Sequence, residues 1–114
     1  MGGGLAGLSA AVYLDRSRRK TLILDSGHSM AKWEEMVENY LGFPEGLSGS
    51  ALLERSRRQA LQFGAVLVED DVRTITRDAS ARFVLRGRED EYRARRVLLE
   101  ENLADHALRV CAPA

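Results

Sequence analysis

The chain begins with Met1-Gly2-Gly3-Gly4-Leu5-Ala6-Gly7, a G-x-G-x-x-G turn whose spaced glycines are Gly2, Gly4 and Gly7. Such a turn lets the backbone approach a pyrophosphate closely, and the helix that follows points its free N–H groups at the phosphates. The pattern alone is weak, because glycine-rich N-termini also occur by chance. The segments around the turn must therefore supply the context that gives it meaning.

The residues after the turn supply most of that context. Leu5 to Arg18 has apolar residues at helical spacing and predicts a helix. Thr21–Asp25 is a short apolar run, typical of a buried parallel strand, and Asp25 closes it 21 residues after Gly4. A carboxylate at this place can accept hydrogen bonds from the hydroxyls of an adenosine ribose. The alternative is that Asp25 only caps the Ser26-Gly27 turn. Together with the glycines, we favour ribose binding.

Length and composition limit the classes of protein that the chain can belong to. Its 114 residues suffice for one domain, and 45% hydrophobic with 30% charged residues is a globular composition. The formal net charge is zero, so no overall charge attracts nucleic acid or anionic lipid. The single cysteine, Cys111, excludes a disulfide within the chain and a cysteine-based metal site. No apolar run is long enough for a membrane span, and we expect a cytoplasmic α/β protein that binds no metal.

The rest of the chain alternates between predicted helices and strands. A second helix is predicted at Ser50–Phe63, followed by a buried strand at Ala65–Glu69. Three runs with alternating apolar and polar residues predict an antiparallel meander: Val72–Arg77, Arg82–Arg86 and Glu91–Arg95. The sequence also predicts a short amphipathic helix whose apolar stripe faces the core and includes Met30, Trp33 and Met36. Two further predicted elements are a strand at Arg96–Leu99 and a short helix at Leu103–Val110.

Two of these segments resemble a known family. Gly2–Ala11 followed by Leu22–Asp25 is similar to the FAD-binding start of the thioredoxin-reductase-like flavoproteins, with its G-G-G-P-A-G-x-x-A-A wording, although Leu5 replaces the proline. Val37–Pro44 resembles the E-N-[WYF]-P-G-x-P segment of that family. The resemblance ends at Leu99, where relatives continue into an A-T-G turn and this chain continues with Glu100-Glu101-Asn102.

The resemblance implies a fold and a set of cofactor contacts. The fold is α/β, a partial Rossmann-like FAD-binding three-layer fold with an antiparallel β-meander, in which the first central strand is absent. Residues 1–99 then form a truncated FAD-binding domain, and residues 100–114 form a tail of unknown role. The implied FAD contacts are Gly2, Gly4, Leu5, Ala6, Gly7, Asp25, Asn39 and Val72. Asn39 is equally well read as a turn asparagine, and Val72 contributes only backbone.

The function that follows from the resemblance is the FAD-binding portion of a flavin-dependent NAD(P)H oxidoreductase of the thioredoxin-reductase type. NAD(P)H would be held by a second domain that has no counterpart in this sequence, so we expect the 114-residue chain alone to be inactive and assign it no catalytic residue. A non-catalytic remnant that binds an adenine nucleotide or a protein partner, and a small structural domain, remain as alternatives. The missing strand should leave a gap, which closure or homo-oligomerisation would fill.

Overall fold

The computed structural model of the protein describes residues 1–100 and residues 109–110. Its elements in chain order are α1 (Leu5–Arg16), β1 (Leu22–Asp25), a 3-10 turn (Met30–Trp33), α2 (Gly49–Gln62), β2 (Val66–Glu69), β3 (Thr74–Arg77), β4 (Phe83–Arg86), β5 (Glu91–Ala94) and β6 (Arg109–Val110). Both α-helices and the first five strands lie within two residues of their predicted bounds. The α/β fold class is therefore confirmed.

The strands form two small sheets with different directions. In one sheet, β1 and β2 run parallel, with Leu22 opposite Val66 and Asp25 opposite Glu69. In the other, β3, β4 and β5 form the predicted antiparallel meander, and β6 pairs in parallel with β3. A parallel pair needs a crossover connection, and α2 lies within the connection between β1 and β2.

Strand β1 is shared by two hydrophobic cores. Ile23 belongs to a cluster with residues of α1 and α2, whereas its neighbour Leu24 belongs to a cluster with residues of the meander. Successive side chains of a strand point to opposite faces, so the apolar run of β1 serves both sides. Ile23 and Leu24 are only 3% and 4% exposed, and burial of each contributes roughly 1.5–3 kcal/mol.

The first two residues fill part of the gap that the sequence led us to expect. The Gly2 amide donates to the Leu24 carbonyl at 2.9 Å, and the Met1 carbonyl accepts from the Glu100 amide at 2.9 Å. The Met1 ammonium donates to the Leu98 carbonyl at 2.6 Å. Met1 and Gly2 therefore lie between β1 and the segment 98–100 and provide backbone partners on both sides.

The prediction of a strand at Arg96–Leu99 is wrong. This segment has no strand pairing in the part of the chain that the structure describes, and Leu98 is 54% exposed. Among the described residues, Met1 is bonded to its backbone, at Leu98 and Glu100, and so short a neighbour cannot build a ladder of hydrogen bonds. An apolar run indicates a strand only where a neighbouring strand is available to pair with it.

The predicted amphipathic helix is a single 3-10 turn, Met30–Trp33, and its apolar side chains do not face the core. Trp33 is 76% exposed, and Met30 and Met36 are also exposed. The 3-10 helix ends at Trp33, so Met36 lies beyond it and no amphipathic helix spans these residues. The turn instead approaches α2 through its backbone: Gly49 lacks the side chain that would collide with the Ala31 carbonyl, and the Gly49 amide donates to the Glu34 carbonyl at 2.8 Å.

The C-terminal predictions are tested only in part. Arg109 and Val110 pair with Thr74 and Ile75 of β3, so a helix does not extend to Val110. The remainder of that predicted helix and Cys111 lie outside the described residues. Among the described helices, none is long and apolar enough to cross a bilayer.

Candidate functional site

The N-terminus of α1 is not capped by a side chain of its own first residues. Gly4 is the N-cap residue and forms no side-chain cap, and the first turn contains no acidic residue. The first N–H groups of an α-helix have no partner within the helix, and together they carry a partial positive charge. They are therefore available to an anion that comes from elsewhere.

That anion is the carboxylate of Glu100. Its Oε2 atom accepts hydrogen bonds from the Gly4 amide and from the Gly7 amide, each at 3.1 Å. Two donors that converge on one charged oxygen at a helix N-terminus are the arrangement that also holds a phosphate oxygen. The Glu100 carboxylate thus stands in for an anionic oxygen of that kind.

The predicted glycines surround this carboxylate and leave room for it. A Cβ atom at Gly4 would lie 2.5 Å from Glu100 Oε1, and one at Gly7 would lie 2.7 Å from Glu100 Oε2. A Cβ at Gly7 would also collide with the Gly2 carbonyl oxygen. Gly2 has a φ of 101°, a backbone conformation that favours glycine. The structure therefore brings Gly2, Gly4 and Gly7 together around one anion-binding position.

Asp25 lies against the same turn. A Cβ atom at Gly3 would lie 2.5 Å from Asp25 Oδ2, so Gly3 is needed here as well. Asp25 is 4% exposed, and its Oδ1 atom accepts from the Gly27 amide at 3.1 Å. The carboxylate therefore caps the turn that follows β1, as the alternative interpretation had it, and also borders the glycine turn. A carboxylate has about four lone-pair positions, so further hydrogen bonds to a ribose are compatible with this cap.

Arg57 is the partner of Asp25 that sequence reasoning missed. Its Nη2 atom lies 2.5 Å from Asp25 Oδ2. The Nε atom of Arg57 is buried and has no hydrogen-bond acceptor among the described residues. No local pattern links a residue of α2 to the end of β1, because the contact depends on how the helix packs.

The other predicted cofactor contacts are Leu5, Ala6, Asn39 and Val72. Leu5 is half-buried beside the first hydrophobic cluster, and Ala6 is exposed in the first turn of α1. Val72 is buried in the cluster that contains Leu24. Asn39 is exposed, in the loop closed by the bridge between Val37 and Leu47. The structure thus joins the glycines, Asp25 and Glu100 by direct contacts, and the roles of Asn39 and Val72 stay predictions.

A second buried carboxylate, Asp70, stabilises the meander, and both of its oxygen atoms accept hydrogen bonds there. It accepts from the Tyr92 hydroxyl at 2.8 Å and from three backbone amides, those of Arg88, Glu89 and Asp90. Burial acts to raise the pKa of Asp70, but these hydrogen bonds outweigh it and leave the pKa below the usual 3.8. Burial and the neighbouring Asp70 raise the pKa of Tyr92 to about 12. Asp70 therefore stabilises the fold.

Within the described residues, no group of His, Cys, Asp and Glu side chains could hold a metal ion.

Comparison with known sequences finds relatives of one kind, although no protein-family profile matches the chain. The thioredoxin reductase of Mycolicibacterium smegmatis is 35% identical over 113 residues, which cover 96% of this chain and 36% of that protein. The thioredoxin reductase of Peptoclostridium acidaminophilum is 35% identical over 107 residues, which cover 91% of this chain and 33% of that protein. The chain therefore spans about a third of the length of these relatives.

Comparison with solved structures gives the same result. The atypical thioredoxin reductase of Desulfovibrio vulgaris Hildenborough superposes with a TM-score of 0.76 at 38% identity, over 82% of this chain and 31% of that one. The thioredoxin reductase of Gloeobacter violaceus also gives 0.76, at 35% identity, over 82% of this chain and 32% of that one. In both sequence and fold, the chain is thus a thioredoxin-reductase-like protein that corresponds to a fragment of those oxidoreductases.

Proposed function

We propose that the chain is the FAD-binding portion of a flavin-dependent NAD(P)H oxidoreductase of the thioredoxin-reductase type. One observation carries the proposal: the amides of Gly4 and Gly7 converge on a single carboxylate oxygen. This donor set suits the diphosphate of a dinucleotide, which also presents charged oxygens to a helix N-terminus. The likeness to thioredoxin reductases in sequence and structure supports the choice of this enzyme class.

Each part of the cofactor then has residues assigned to it. The amides of Gly4 and Gly7 bind the pyrophosphate, while Gly2, Leu5 and Ala6 shape the turn around it. Asp25 accepts hydrogen bonds from the ribose hydroxyls, and the backbone at Val72 lies along the adenine. Asn39 contacts the flavin. Residues 1–99 form the cofactor-binding unit, and residues 100–114 form its tail.

The chain's own residues bind and orient the cofactor, and we assign none of them a catalytic role. When bound, FAD supplies the redox chemistry, and the protein supplies binding, orientation and electrostatics. The reaction with NAD(P)H is proposed for the whole enzyme, since the relatives are about three times as long as this chain. We further propose a cytoplasmic location, which fits a sequence with one cysteine, and homo-oligomerisation of the chain.

Calorimetric titration with FAD, ADP and riboflavin tests this assignment. Riboflavin lacks the diphosphate and the adenosine, so it is the matched control for a site built around a helix N-terminus. We expect FAD and ADP to bind with a stoichiometry of one and riboflavin to give no measurable heat. Binding of riboflavin as tight as that of FAD, or no binding of FAD and ADP, would refute the assignment.

A further inference from the structure

Glu100 is held in the glycine turn by its backbone as well as by its side chain. Its amide donates to the Met1 carbonyl at 2.9 Å, and a Cβ atom at Gly2 would lie 2.7 Å from the Glu100 carbonyl oxygen. The side chain then reaches the amides of Gly4 and Gly7. These contacts join residues 96 and 93 positions apart in the chain, so the fold itself delivers this carboxylate to the helix N-terminus.

The carboxylate and a nucleotide diphosphate make competing demands on the same groups. One N–H group cannot point at Glu100 Oε2 and at a phosphate oxygen in another position at the same time. Hydrogen bonds weaken steeply away from linearity, so the bond to one oxygen is made at the expense of the other. The two anions would also repel each other at this short range. A diphosphate can therefore take the Gly4 and Gly7 amides only after the Glu100 side chain has left them.

The helix gains from the contact when no nucleotide is bound. Gly4 offers no side-chain cap, and α1 has no acidic residue in its first turn, so Glu100 supplies the negative charge that favours this end of the helix. Glu100 is half-buried, so the residue is in part open to solvent. The contact is thus favourable in the free protein.

We propose that Glu100 is an autoinhibitory competitor of the nucleotide diphosphate, which caps α1 in the free protein and must move away when a nucleotide binds. This inference rests on the proposed function, since it assumes that the glycine turn is the nucleotide site. It assigns to one side chain the regulation of that site: the affinity for a diphosphate is set in part by how strongly Glu100 holds the turn.

ADP is the probe, and the variants are Glu100→Gln and Glu100→Ala. Glu100→Gln keeps the size of the side chain and removes its charge, whereas Glu100→Ala removes the whole contact. The matched control is Glu54→Gln, the same change at an exposed position of α2. By calorimetry, Glu100→Ala should bind ADP about tenfold more tightly than the unaltered protein, with Glu100→Gln between them. The control should bind as the unaltered protein does.

A second readout follows the contact itself. The amide resonances of Gly4 and Gly7 should move in Glu100→Gln without ADP and stay in place in Glu54→Gln. Glu100→Gln also serves if Glu100→Ala does not fold, because it retains an oxygen that can accept hydrogen bonds.

The outcomes separate two kinds of failure. ADP binding that is equal in the unaltered protein and Glu100→Gln, or weaker in the variant, would overturn the competition and leave the proposed function standing. Unmoved Gly4 and Gly7 resonances in Glu100→Gln would overturn the contact. If neither protein binds ADP, the proposed function fails and the competition fails with it.

Discussion

Arg57 Nη2 lies 2.5 Å from Asp25 Oδ2, so the carboxyl end of β1 is joined to α2 by an ion pair beside the glycine turn. Asp25 is buried, and the Arg57 side chain is 36% exposed. A buried charge that loses its partner is left without compensation, which makes such pairs costly to break. The pair therefore joins α2 to the carboxylate to which we assign the ribose, and its loss should cost stability.

The first prediction separates binding from stability at this pair. Asp25→Ala removes the ribose acceptor and should cost roughly 1–3 kcal/mol of ADP affinity. Arg57→Ala should lower the free energy of unfolding by about 1–3 kcal/mol, because Asp25 loses a charged hydrogen bond, yet it should retain ADP binding. Calorimetry gives the affinities, and urea denaturation gives the stabilities. If Asp25→Ala binds ADP as the unaltered protein does, Asp25 is not part of the site.

The second prediction concerns the close approach at Gly7. In Gly7→Ala the new methyl group collides with the Gly2 carbonyl and lies 2.7 Å from Glu100 Oε2, so the turn must shift. We expect a loss of about 1–3 kcal/mol of stability, as for other overpacked positions, and no measurable ADP binding. Ser9→Ala is the control, since it places an alanine at an exposed position of the same helix. Unchanged ADP affinity in Gly7→Ala would show that the turn does not hold the diphosphate.

The third prediction is a pH dependence of stability that originates at Asp70. The folded protein holds the pKa of Asp70 below 3.8, so folding favours the carboxylate form. This contribution to the free energy of unfolding is present above the unfolded pKa of 3.8 and is lost as the pH falls through the lower folded pKa. Asp70→Asn should therefore be less stable at neutral pH and should depend less steeply on pH in the acid range. Denaturation at a series of pH values checks this, with Glu54→Gln as control. Parallel curves for Asp70→Asn and the unaltered protein would contradict it.

Local sequence patterns predicted the elements around the site but not the contacts within it. The apolar run of β1 and the alternation in the meander depend on neighbouring residues, and both were confirmed. The ion pair of Arg57 with Asp25 joins residues 32 positions apart, and no periodicity records it. The sequence marks Glu100 in one way, because it directly follows the last residue that resembles the family. Its contact with the amides of Gly4 and Gly7, however, depends on the fold.

The wrong predictions also have a common physical cause. The apolar composition of Arg96–Leu99 predicts a strand, but a strand needs a partner, and the neighbouring Met1 and Gly2 are too short to provide one. The spacing of Trp33 predicts a place in the core, but the segment forms a single 3-10 turn that leaves Trp33 exposed. In both cases the structure of a segment depends on the residues that pack against it and not on its own sequence alone.

The most direct test of the account is a comparison of ADP and adenosine by amide chemical-shift mapping. Adenosine keeps the base and the ribose and lacks the diphosphate, so it isolates the anion-binding role of the helix N-terminus. We predict that ADP shifts the Gly4 and Gly7 amide resonances more than any others and that adenosine leaves these two in place. If ADP leaves the Gly4 and Gly7 resonances unmoved, or adenosine shifts them as far as ADP does, the glycine turn is not a diphosphate site.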